Sequence, residues 1–149
     1  MHESRIDLLL VEDSVDDRAF VSYFMQQLGG VTVRVAQNGA EALEMMFGRA
    51  EGSQQPPILA PRVIVLDLHL PKIGGLELIR HFKSNPHTHA IPLVALSASA
   101  DRHDAEDCYL AGANSYIVKP TEFAEFGRVV TLLGQYWLRL NLAPDAAGE

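Results

Sequence analysis

Short runs of aliphatic and β-branched residues alternate with longer amphipathic stretches, five times over, along 149 residues. Residues 6–11 form a nearly unbroken apolar run in which Asp7 is the one charge. A strand of that composition has no face to offer water, so it belongs inside a parallel sheet covered on both sides. Residues 16–28 then place Phe20, Val21, Phe24, Met25 and Leu28 at helical spacing, and Gly29-Gly30 ends that helix. The cycle repeats with a strand at 31–36 and a helix capped by Asn38 that carries Ala42, Leu43 and Met46 on one face. A third strand spans 63–66, and a helix begun at 76–82 is stopped by Asn85-Pro86. A fourth strand covers 92–96 and a helix 101–111, closed by Gly112. The fifth strand is 116–118, and Thr121 is placed to cap a last helix running to about Leu140. The polar, proline-rich residues 52–61 read as a surface loop and 71–75 as a turn. Alternating strand–helix units give an α/β fold, a parallel sheet with helices on both faces. Residues 1–143 are expected to form one domain and 144–149 a disordered tail.

Composition narrows the partners. A formal net charge of -7 disfavours nucleic acid, whose binding needs a basic stripe. The single cysteine, Cys108, has no partner for an internal disulfide and reads as a small packing residue. The N-terminal residues show no signal-peptide pattern and no apolar run is long enough for a bilayer, so no membrane association and a cytoplasmic location are expected.

Ligands on doubly wound sheets sit outside the carboxyl ends of the strands. The residues there are Glu12-Asp13 after the first strand, Asp67 after the third, Ser97 at the end of the fourth and Lys119-Pro120 after the fifth. Three carboxylates, a hydroxyl and a lysine thus converge on one edge. Carboxylates so close would repel strongly without a cation, and hard oxygen donors suit Mg²⁺. A carboxylate nucleophile, a Lewis acid and a cationic donor are the equipment of phosphoryl transfer to aspartate. Singly, each motif has a bland reading: Glu12-Asp13 as a solvated turn, Asp67 as a helix cap, Lys119 as a surface lysine. Four strand ends mimicking one site by chance is the less economical account.

Together, Leu10-Val11-Glu12-Asp13, Val65-Leu66-Asp67 with Pro71 and Gly75, Ser97-Ala98, and Tyr116-Ile117-Val118-Lys119-Pro120 resemble the receiver domain of two-component response regulators. The resemblance covers residues 4–140. It implies a flavodoxin-like (βα)5 doubly wound sheet with strand order 2-1-3-4-5. It also implies Asp67 as phosphoacceptor from a sensor histidine kinase, and Mg²⁺ held by Glu12, Asp13, Asp67 and the backbone carbonyl of His69. Lys119 would contact the phosphoryl oxygens ahead of a cis peptide at Pro120, while Ser97 and Tyr116 would switch position on phosphorylation. Residues 66–72, with Asn85-Pro86 and Gln135-Tyr136-Trp137-Leu138, further resemble the stand-alone regulators that partner phytochrome-type photoreceptor kinases, which makes a bacteriophytochrome the implied kinase. Those relatives commonly carry asparagine where His69 stands, and a bulky imidazole there bears on water access to a phosphoaspartate.

Phe123, Phe126, Val129, Val130, Leu132, Leu133, Tyr136, Trp137 and Leu140 cover about half the circumference of the last helix, wider than one sheet face requires. The surplus predicts a homodimer, with Phe126, Val129, Leu133, Tyr136, Trp137 and Leu140 at its interface. The expected function is a switch that catalyses only its own phosphorylation and dephosphorylation, with output through protein contacts. The alternative is a degenerate receiver that binds partners without phosphorylation. An aspartate-nucleophile phosphatase is disfavoured by His69, which stands where those enzymes place an acid. A flavodoxin-like cofactor binder is disfavoured by the acids after the first strand.

Overall fold

The computed structural model describes residues 4–48 and 57–144. Residues 52–56 of the predicted loop 52–61 and residues 145–149 of the predicted tail lie outside these. Five parallel strands, β1 (Ser4–Val11), β2 (Val33–Ala36), β3 (Leu59–Leu66), β4 (Leu93–Ser97) and β5 (Ser115–Val118), form one sheet in the order β2-β1-β3-β4-β5. Between and after them run α1 (Val15–Gln27), α2 (Gly39–Phe47), α3 (Gly75–Ser84), α4 (Arg102–Ala111) and α5 (Phe123–Gln135). The expected strand order is the one observed.

Strand alternation divides the core in two. Leu9, Val11, Ile64, Leu66, Leu93 and Ala95 face α2, α3 and α4, meeting Ala42, Met46, Leu78, Ile79, Phe82 and Cys108. Leu8, Leu10, Val63, Val65, Val94 and Leu96 face α1 and α5, meeting Val21, Met25, Phe126, Val130 and Leu133. Burial on both faces is why the strands read as continuous apolar runs. Cys108 is fully buried in the first of these cores, and burial pushes its thiol up to about 11, as a packing residue requires.

Helix starts follow local chemistry in most cases. Ser14 Oγ accepts the Asp17 amide at 3.2 Å, Asn38 Oδ1 the Glu41 amide at 2.8 Å, and Asp101 Oδ1 the His103 amide at 2.8 Å. Gly112 closes α4 in the left-handed region, at φ 115°. The last helix departs from expectation. It begins at Phe123, preceded by Glu122 rather than capped by Thr121, and no side-chain cap bond forms. Aromatic packing anchors this end instead: Phe126 stacks on Phe20 with ring centroids 4.7 Å apart. A second departure is β3, which starts at Leu59, inside the predicted loop. Along that stretch β3 pairs only with β1, because its ladder with β4 covers Ile64–Leu66 alone, and one-sided pairing tolerates Pro61.

The third departure bears on the surface. The helix does not continue regularly to Leu140 but changes at Tyr136–Leu140 to a π-helical turn, in which the Asn141 amide donates to the Tyr136 carbonyl at 2.6 Å. The wider turn shifts the phase by one residue, so the inward series Phe126, Val130, Leu133 continues at Leu138 rather than Trp137. Arg62 donates to the Leu138 carbonyl (2.6 Å), and Arg139 donates to the carbonyls of Leu28 and Gly29 (2.7 Å each), tying the turn to the end of α1.

Candidate functional site

The sheet order reverses between β1 and β3, and the crevice at that reversal is where the site forms. The Asp67 amide donates to the Val11 carbonyl (2.9 Å) and the Glu12 amide to the Ala36 carbonyl (3.0 Å), so the ladders extend just past the last strand residues. The Lys119 amide likewise donates to the Ser97 carbonyl (2.7 Å). Main-chain bonds thus hold the acids and the lysine in register.

Side-chain oxygens of Glu12, Asp13 and Asp67 lie within 4.8 Å of one another. Asp13 is exposed, Asp67 is buried, and Glu12 retains 1% of its surface. Lys119 Nζ sits over them, donating to Glu12 Oε1 at 2.7 Å and standing 3.7 Å from Asp67 Oδ2. The His69 amide donates to Asp67 Oδ1 at 3.3 Å, which brings the backbone two residues beyond Asp67 to the rim of the cluster.

The electrostatics follow from this crowding. Burial, with the charge of Asp67, raises the Glu12 carboxyl to about 7 against the pull of Lys119. Burial depresses Lys119, but hydrogen bonds to Asp17 and Glu12 and the nearby charges outweigh it and leave the amine raised. One ammonium against three clustered carboxylates leaves surplus negative charge, with two acids inside the protein. A hard divalent cation fits that donor set, and Glu12, Asp13 and Asp67 are the side chains that would hold it.

Ser97 is buried, and its hydroxyl accepts the Ser99 amide at 3.1 Å. Tyr116, half-buried, donates its hydroxyl to the Ser99 carbonyl at 2.8 Å. The two expected switch residues therefore share one loop residue, and motion of that loop involves both. The cis peptide expected at Pro120 is not present: the described residues contain none. Lys119 reaches Glu12 with the preceding chain in its β5 ladder and an ordinary trans bond after it, the form most X–Pro bonds adopt.

Two participants escaped the reading of the sequence. Lys119 Nζ also donates to Asp17 Oδ2 at 2.8 Å. Arg18 Nη1 donates to the carbonyls of Glu12 (3.3 Å) and Asp13 (3.0 Å), bracing the loop after β1. Both lie in the first turn of α1, where acids are favoured by the helix dipole whatever else they do. Asp17 follows the acidic pair by one helical turn, and that spacing was the available clue.

The expected dimer residues divide. Phe126 and Leu133 are in the chain's own core and have almost no surface left for a partner, and Trp137 and Val129 are half-buried. Tyr136 and Leu140 are exposed, Leu140 at 76%, as are Phe123 and Leu132. Beyond Gln135 the π-helical turn sets which side chains face outward.

A buried aspartate at the switch point, two further acids beside it and a lysine above them form an acidic cluster on a doubly wound sheet that fits a phosphorylation site. Residues 8–131 match the response regulator receiver domain, and the chain belongs to that family of two-component signalling. Among its relatives, the probable methanogenesis regulatory protein FilR2 of Methanothrix harundinacea is 32% identical over 94% of this chain and 88% of its own length. Response regulator Rcp1 of Synechocystis is 29% identical over 93% of each chain. The chain superimposes on the Mn²⁺-bound form of Rcp1 with a TM-score of 0.83 (28% identity, 94% of this chain, 99% of that one). It superimposes on the phosphorylated cyanobacterial phytochrome response regulator RcpA with a TM-score of 0.82 (28% identity, 95% of this chain, 100% of that one). Among the described residues no helix is long and apolar enough to cross a membrane.

Proposed function

We propose that this protein is a phosphorylation switch in which Asp67 accepts a phosphoryl group from a sensor histidine kinase, in a Mg²⁺-dependent reaction. The observation that carries this is the placement of the Asp67 carboxylate within 4.8 Å of those of Glu12 and Asp13 and 3.7 Å from Lys119 Nζ. In the transfer an Asp67 oxygen forms a bond to phosphorus as the bond from phosphorus to the donor imidazole breaks, and the imidazole leaves with the electron pair. Lys119 offers its ammonium to the incoming oxygens, and Glu12, Asp13 and Asp67 would hold the cation. When bound, Mg²⁺ supplies charge neutralisation for phosphoryl oxygens approaching a nest of acids. Ser97 and Tyr116 report the phosphoryl group through the Ser99 loop, shifting the population between two arrangements of the face formed by α4, β5 and α5. The protein turns over no separate substrate, and its output runs through protein contacts.

The kinase we assign is of the phytochrome type, because Rcp1 and RcpA resemble the chain over nearly its whole length. The chain acts as a homodimer in this reading. Support comes from Leu132, Tyr136 and Leu140, exposed apolar side chains four residues apart along α5 and the π-helical turn. Leu140→Asp is expected to lower the solution mass toward that of a monomer by light scattering. An unchanged dimer mass would place the interface elsewhere.

Intact-mass spectrometry tests the phosphoacceptor directly. After incubation with Mg²⁺ and acetyl phosphate the wild-type chain should gain one phosphoryl group, and Asp67→Asn or added chelator should abolish the gain. No gain in wild type, where another receiver labels, would favour the phosphorylation-independent interaction module.

A further inference from the structure

Among the described residues Lys119 is the cation whose side chain meets carboxylates of the acid cluster, and its amine is divided. Its close partners are Glu12 Oε1 (2.7 Å) and Asp17 Oδ2 (2.8 Å), while Asp67 Oδ2 stands off at 3.7 Å. Asp17 is held firmly for this task. Its amide donates to the Ser14 hydroxyl that caps α1, so the carboxylate projects from the first turn of a helix already fixed to the end of β1. The Lys119 side chain is mostly buried, and its amine stands between Asp17 on one side and Asp67 on the other. Asp16, next door in the same turn, is exposed, and the contacts of Lys119 do not include it.

We infer that Asp17 is a positioning residue that restrains Lys119 in the unphosphorylated protein and competes with the phosphoryl group for its ammonium. This deepens the phosphoacceptor reading and rests on it. An ammonium has three protons to direct. Contact with phosphoryl oxygens on Asp67 draws the amine away from Asp17, so some of the gain from the phosphoryl contact is spent in separating that ion pair. Asp17 thereby biases the two-state equilibrium toward the unphosphorylated arrangement, without ligating the metal or touching the reacting atoms. Removing its charge leaves Lys119 free to lean toward Asp67.

The test is a beryllofluoride titration of the full chain in Mg²⁺, followed by the amide resonances of residues 97–99, with Mg²⁺ affinity measured separately. Wild type, Asp17→Asn, Asp17→Glu and Asp16→Asn are compared, with thermal unfolding checking that each is folded. Asp17→Asn should bind the phosphoryl analogue about three- to five-fold more tightly than wild type, the scale of a partly exposed ion pair released. Asp17→Glu should restore the wild-type value, and Asp16→Asn should fall near it. Equal tightening in Asp16→Asn and Asp17→Asn would reduce the effect to net charge and overturn the proposal. Unchanged or weaker binding in Asp17→Asn would also overturn it. Failure of the wild type to bind beryllofluoride at all would strike instead at the phosphoacceptor reading, so the two failures are distinguishable.

Discussion

Gly75→Ala is expected to slow phosphorylation on the order of a hundred-fold while its neighbour Gly74→Ala is tolerated. A Cβ at Gly75 would lie 2.5 Å from the Leu68 carbonyl oxygen, 2.6 Å from Leu68 Cα and 2.7 Å from the Asp67 carbonyl oxygen. These are backbone atoms of the loop that presents the phosphoacceptor, and the Gly75 amide donates to that same Leu68 carbonyl at 3.0 Å. Relief requires α3 to retreat or the Asp67 loop to move. The helix-propensity gain from alanine, about 1 kcal/mol, is smaller than a backbone clash of this kind, so a net loss of roughly 2 kcal/mol is expected by urea unfolding. Misplacing a nucleophile by about 1 Å costs on the order of a hundred-fold in rate, and acetyl phosphate labelling should fall accordingly. A Cβ at Gly74 meets nothing within 4 Å, and that variant should label as wild type does. Normal labelling of Gly75→Ala would show that the loop yields without moving Asp67.

The second large effect concerns acid–base balance in the metal-free protein. Glu12 has its carboxyl raised from 4.5 to about 7 by burial, so the folded state holds a proton that the unfolded state releases. Stabilisation from this group is full below about pH 4.5 and is lost as pH rises toward 7. The shift corresponds to at most about 3 kcal/mol across that window. In chelator, the stability profile of wild type should therefore fall with rising pH more steeply than that of Glu12→Gln, which keeps the shape and removes the titration. Added Mg²⁺ should flatten the wild-type profile, because a cation meets the charge that burial penalises. Parallel profiles for the two proteins in chelator would mean that Lys119 already satisfies the Glu12 charge.

The fold was legible because burial on both faces leaves few solutions for a strand. Residues 6–11 and 63–66 had to be central, and the polar residues that end them had to meet at the reversal of strand order. The cluster of Glu12, Asp13 and Asp67 follows from that geometry. Where local signals competed, they misled. Pro61 looked like a loop residue, yet β3 runs through it with one neighbour. Thr121 looked like a cap, yet packing of Phe126 on Phe20 anchors the helix.

By itself, then, the amino-acid order determined the five strand–helix units and the acids, hydroxyl and lysine at the strand ends. Those follow from periodicity, which is a local property. Only the tertiary structure decided which carboxylate Lys119 prefers, since Asp17 lies 102 residues away and the choice turns on differences of about an ångström between 2.8 and 3.7 Å. It also decided which residues of the last helix face outward. A π-helical turn at Tyr136–Leu140, tied down by Arg62 and Arg139, moved Leu138 into the core and left Tyr136 and Leu140 at the surface. An extra residue in one turn leaves no mark on a hydrophobic pattern read at 3.6 residues per turn, because the contacts that stabilise it come from α1 and β3.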